Sequence, residues 1–132
     1  MIFVDTNYFL RFLIRDDEKH YLTARKLFEA GAMGKAKLFT CNLVIFELKW
    51  VLSSFYLKDK QEVIDILTNV LAMQFVDLAE KDMLMETVAL FKNSTLEFED
   101  CFNLFYAKSM EADSLATFDQ KLNNKFKEME KS

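Results

Sequence analysis

The chain has 132 residues, 52% of them hydrophobic and 29% charged, and a net charge of −4. This describes one folded domain with a core of its own and excludes a disordered chain. The charge gives no support to a broad basic nucleic-acid surface but leaves room for a site that reaches nucleic acid through a metal and a few local cations; one histidine and two cysteines argue against a classical zinc site, and no run of about 18 uncharged apolar residues exists to span a membrane.

Residues 2–5, Ile2-Phe3-Val4-Asp5, read as a short buried strand that ends in a carboxylate, as in a parallel sheet covered on both faces. Asn7 is the expected N-cap of a helix over about 8–14, which the polar run Arg15-Asp16-Asp17-Glu18 ends. Tyr21, Ala24, Leu27, Phe28 and Ala32 recur at helical spacing and predict a second helix over about 18–33. Lys37–Thr40 predicts a second strand, and Asn42 the N-cap of a helix over about 43–56. Val63, Ile66, Leu67, Val70 and Leu71 form the clearest amphipathic stripe, on a helix of about 60–72. Gln74–Leu78 predicts a third strand, and Leu84, Val88 and Phe91 a helix over about 80–92 that Asn93-Ser94-Thr95 breaks. A helix follows over about 99–111, then a fourth short strand at Ser114–Thr117, a brief helix after Asp119, and a polar tail from about 125. Strands alternating with helices predict an α/β sandwich around a mainly parallel sheet.

In open parallel sheets the functional crevice lies beyond the carboxyl ends of the strands. Asp5 ends the first strand, Glu47 lies about one turn into the helix that leaves the second, Asp100 opens a helix, and Asp119 follows the fourth strand. All four are expected at one end of the sheet. Four converging carboxylates repel one another and raise one another's pKa values. A divalent cation relieves the conflict, and Mg²⁺ or Mn²⁺ prefers such hard oxygen ligands. The chemistry this suits is phosphodiester hydrolysis. Thr6, Asn7 and Thr117 are expected beside these acids as hydrogen-bonding supports; Arg11 and Arg15, one turn apart, are candidates for contact with RNA phosphate, with solvation the favoured reading. Each residue also has a structural reading. Asp5 suits a helix N-terminus, Glu47 an ion pair toward Lys49, Asp100 helix-start electrostatics, Asp119 an N-cap, and the two arginines simple solvation. His20 reads as exposed and without a role, and Cys41 and Cys101 as inert thiols of a reducing compartment. The N-terminus has no basic region ahead of its apolar residues, which argues against a signal peptide and for the cytoplasm.

Phe3-Val4-Asp5-Thr6-Asn7 with Phe9-Leu10-Arg11, Glu47, Asp100-Cys101-Phe102-Asn103-Leu104-Phe105-Tyr106-Ala107, and Leu115-Ala116-Thr117-Phe118-Asp119 together resemble the PIN domain family. The likeness is particularly to the small toxin nucleases of bacterial and archaeal toxin–antitoxin pairs. It runs from residue 2 to about residue 122. It implies a single domain over 1–132, with a three-layer α/β/α sandwich around a four- to five-stranded, mainly parallel sheet. It further implies an endoribonuclease for single-stranded RNA, with Asp5, Glu47, Asp100 and Asp119 as catalytic ligands of Mg²⁺ or Mn²⁺. The partners it implies are a second copy in a homodimer and a small antitoxin. Fourteen Phe and seven Met are compatible with such partner surfaces, as with a bulky core. The chain departs from the family's common pattern at its end, where Phe126-Lys127-Glu128-Met129 replaces an apolar fifth strand, and Asp113 precedes the last motif instead of following it.

Two other functions compete. An aspartyl-phosphate phosphatase would use Asp5 as nucleophile, but residue 7 is Asn where a second aspartate is needed, and Glu47 has no task. A non-catalytic RNA- or protein-binding module on the same fold is the other.

Overall fold

Three short strands, β1 (Ile2–Phe3), β2 (Leu38–Phe39) and β3 (Val76–Asp77), pair in parallel in the order β1-β2-β3. Ile2 stands opposite Leu38, and Leu38 opposite Val76. The computed structural model describes residues 1–131, and the chain divides into two compact units, Met1–Lys81 and Asp82–Ser132.

Parallel neighbours need crossovers. In the first unit these are the helix pairs α1 (Thr6–Ile14) with α2 (Glu18–Ala32), and α3 (Asn42–Ser54) with α4 (Lys60–Leu71). Each helix exists because one stripe of it is apolar. α4 buries Val63, Ile64, Leu67, Val70 and Leu71, each contributing roughly 1.5–3 kcal/mol. A capping box between Asp59 and Glu62 starts it, worth about 1 kcal/mol. α1 buries Phe9 and Leu10, and stops at Arg15, whose φ of 53° is left-handed. That conformation costs a non-glycine residue about 1–2 kcal/mol. It is held because the Arg15 guanidinium makes two bonds to Glu18 (2.9 and 3.1 Å) and lies 4.1 Å from the Tyr21 ring centroid. α2 packs onto β2 at Gly31, where a Cβ would stand 2.6 Å from Leu38 Cδ1 and 3.1 Å from the Phe75 ring.

The second unit is helical among its described residues: α5 (Lys81–Lys92, starting at the boundary), α6 (Phe98–Ser109) and α7 (Gln120–Glu130). Phe91 and Phe98 meet edge to face at 5.5 Å, and Lys108 Nζ donates to the Met129 carbonyl at 3.0 Å, tying α6 to α7.

The α/β class and the parallel sheet agree with the sequence reading, and four expectations need correction. Among the described residues the sheet has three strands, not four or five. Ser114–Thr117 forms no ladder, for only Leu115 is a large apolar residue there, and the Thr117 hydroxyl instead accepts from Asp119 N–H in a local turn. Among the described residues no fifth strand forms, in keeping with the departure at Phe126-Lys127-Glu128-Met129; residues 125–130 of the expected polar tail instead continue α7 and bury Phe126. Ser132 of that tail lies outside the described residues. β1 is an edge strand, so Ile2 and Phe3 are 42% and 46% exposed where burial on both faces was expected. The helix starts also differ. Asp5, not Asn7, caps α1, and Cys41, not Asn42, is the cap residue of α3, without a side-chain bond.

Candidate active site

The carboxyl end of β1 is fixed by backbone pairing. Val4 N–H donates to the Phe39 carbonyl (2.8 Å), and Thr40 N–H to the Asp77 carbonyl (2.9 Å). The buried Thr40 hydroxyl then donates to the Val4 carbonyl at 2.9 Å. The chain is thus clamped at the peptide that precedes Asp5. Thr40 is a positioning residue that sequence reading missed, because its partner lies 36 residues away. Asp5 is exposed, and its Oδ1 accepts from Thr6 N–H at 2.8 Å.

Thr6 supports Asp5 through this backbone N–H and not through its hydroxyl, as had been expected. The side chain turns into the core, 2% exposed, and Oγ1 is left there without a hydrogen-bond partner. Asn7 is exposed on the first turn of α1. Glu47 is exposed on α3, on one face with Leu43 and Trp50 (69% and 61% exposed), while Val44, Ile45 and Leu48 point inward.

Arg11 bonds to Asp16 at 3.0 Å through one terminal nitrogen. Arg15 is engaged by Glu18 and Tyr21 as above, which raises its pKa. His20 is exposed, as expected, and its Nδ1 is 2.8 Å from Asp17, the residue that caps α2. The Asp17 carboxyl is held below its usual value, first by the backbone N–H of His20.

In the second unit Asp100 lies in the first turn of α6, and Asp119 caps α7 by accepting from Leu122 N–H at 3.1 Å. The Thr117 hydroxyl accepts from Asp119 N–H at 3.1 Å, so Thr117 orients this acid through its backbone. These two acids are brought together. The Asp100 carboxyl is raised above the usual aspartate range, first by burial, then by the charge of Asp119, then by Glu97 and Glu99. Of the cysteines, Cys41 is half-buried and Cys101 buried, both as free thiols.

The four acids therefore fall two and two, Asp5 and Glu47 in the first unit, Asp100 and Asp119 in the second. The donor set is carboxylate oxygen alone, and the crowding of negative charge on Asp100 is what a hard cation relieves. Among the described residues no group of three or more His, Cys, Asp or Glu side chains is gathered to hold a metal. A carboxylate-only donor set is of the chemistry that suits an ion of the Mg²⁺ kind, which keeps several waters and takes one or two carboxylates plus substrate phosphate. No helix among the described residues is long and apolar enough to cross a membrane.

The chain is 26% identical to a VapC ribonuclease of Aquifex aeolicus (strain VF5) over 118 residues, covering 89% of this chain and 87% of that one. No solved structure gives a significant match. The PIN domain family matches residues 2–128. With a strand-end Asp5, a parallel sheet and that match from one end to the other, the chain belongs to the PIN domain family.

Proposed function

We propose that this protein is a metal-dependent endoribonuclease for single-stranded RNA, the toxin of a toxin–antitoxin pair, working in the cytoplasm as one PIN-like domain. The observation that carries the reading is the similarity to a VapC ribonuclease along 89% of the chain. Asp5, Glu47, Asp100 and Asp119 act as the catalytic acids and as the oxygen ligands of Mg²⁺ or Mn²⁺. A cation so held supplies charge neutralisation at the scissile phosphate and activation of water.

The remaining work falls to the chain's own groups. Thr40 and the Thr6 N–H fix the Asp5 carboxylate, and Thr117 fixes Asp119. Asn7 extends the polar surface beside Asp5. Arg11 uses one terminal nitrogen on Asp16 and keeps further N–H donors for RNA phosphate, whereas Arg15 is already held by two bonds. A small antitoxin and a second copy of the chain are the proposed protein partners. Exposed Leu43, Trp50, Phe55 and Leu57 are of the kind such partners cover.

The test is incubation with single-stranded and structured RNAs in Mg²⁺, in Mn²⁺ and in chelator, beside Asp5→Asn. Cleavage of the single strands is expected to need metal and to fall at least about 100-fold in the variant, more than loss of a ligand's neighbour costs. Equal cleavage in chelator or in Asp5→Asn sinks the reading.

A further inference from the structure

A cavity of about 270 Å³ opens in the first unit between α1 and α2, lined by Asn7, Tyr8, Arg11, His20, Thr23 and Ala24. Ala24 is buried, 1% exposed, and Tyr8 is 39% exposed. The size is at the small end of ligand sites and suits one planar group. Two of its side chains are anchored by aspartates, Arg11 by Asp16 at 3.0 Å and His20 by Asp17 at 2.8 Å. The rest of the lining is uncharged, so the cavity suits a neutral planar group, while the remaining N–H donors of Arg11 stay available to an adjoining phosphate.

Three of the lining groups are flat: a phenol ring, a guanidinium plane and an imidazole. Such groups stack on unpaired bases. Around them, Asn7 offers an amide donor and acceptor. The Thr23 hydroxyl spends its proton on the Lys19 carbonyl at 3.1 Å and keeps its oxygen as an acceptor. Asn7 and Tyr8 follow Asp5 by two and three residues on the same helix, a rise of about 3–5 Å along its axis.

We infer that this cavity takes one unpaired nucleobase of the substrate RNA, stacked on Tyr8 and held at its edge by Asn7 and Thr23, in the nucleotide next to the phosphate at Asp5. His20 and Arg11, each anchored by its aspartate, are the other walls. The inference rests on the ribonuclease reading for the identity of its ligand.

The test is equilibrium binding, in chelator, of a short single-stranded RNA and its set of single-abasic derivatives to Asp5→Asn protein, with and without Tyr8→Leu or Tyr8→Phe. One abasic position is expected to weaken binding about 10-fold. That position falls silent in Tyr8→Leu and stays sensitive in Tyr8→Phe, which also shows that the site still folds. An abasic profile unchanged by Tyr8→Leu, or no RNA binding by the parent protein, overturns the inference. If RNA is cleaved with metal but the profile is unchanged, the cavity assignment alone fails. If a Tyr8-dependent base is found without metal-dependent cleavage by the wild type, the ribonuclease reading fails and the cavity stands.

Discussion

The two units hold their acids by different means. In Met1–Lys81 the Asp5 carboxylate sits at the end of a ladder, and the bonds that place it come from β2 and the peptide beyond β3. In Asp82–Ser132 no strand is present among the described residues; Asp100 and Asp119 stand at helix starts, Asp119 with a local turn bond to Thr117. A ladder uses neutral backbone groups and brings no charge with it. Helix starts attract acids through their free N–H groups, and two such starts near each other bring like charges together. At Asp100, burial first and these neighbouring charges second raise the carboxyl above the usual aspartate range. One unit supplies rigidity to an acid, and the other stores the conflict that a cation would discharge.

The ladder side is broken most severely at Gly31. Gly31→Val places methyl groups where even a Cβ would be 2.6 Å from Leu38. A loss of about 2 kcal/mol in denaturant unfolding is expected, against a helix-propensity gain of a few tenths at most. No loss would mean that α2 does not sit tightly on β2.

A smaller effect is expected at the clamp. Thr40→Val removes the bond to the Val4 carbonyl and leaves that buried oxygen without its side-chain donor, at about 1–2 kcal/mol. RNA cleavage is expected to fall more in this variant than in Thr117→Val, whose partner N–H is exposed to water. Equal falls would show that the ladder does not privilege Asp5.

The smallest effect sharpens the contrast on the helical side. The folded Asp100 pKa is raised, so the folded chain holds this proton more tightly than the unfolded chain does. Its stabilising share is therefore complete below the unfolded value of about 3.9, and is lost as the pH rises through the folded value. Asp100→Asn is expected to be slightly more stable than wild type at pH 7, an advantage that disappears in acid. Mg²⁺ is expected to stabilise the wild type and not the variant. A variant less stable than wild type at pH 7, or equally stabilised by Mg²⁺, would break the account. In Asp119→Asn, which keeps the cap oxygen and removes the charge, the Asp100 carboxyl titrated by NMR is expected to move down toward its ordinary value.

The sequence by itself determined the order and type of the helices, because each writes its apolar stripe into local spacing. α4 was legible from Val63, Leu67, Val70 and Leu71 alone. It also determined that Asp5 ends a strand, since it closes a short apolar run, and that Asp119 starts a helix. Tertiary structure decided the rest. The number of strands depends on partners, and Ser114–Thr117 has the composition of a weak strand without a ladder to join. The cap of α1 went to Asp5 over Asn7 because the pairing of Val4 with Phe39 releases the chain at residue 5, a bond across 35 positions that no local pattern encodes. Thr40, and the cavity that gives His20 neighbours, were invisible for the same reason. Hydrophobic periodicity is a property of adjacent residues, but a clamp or a pocket is a property of segments that meet only once the chain has folded.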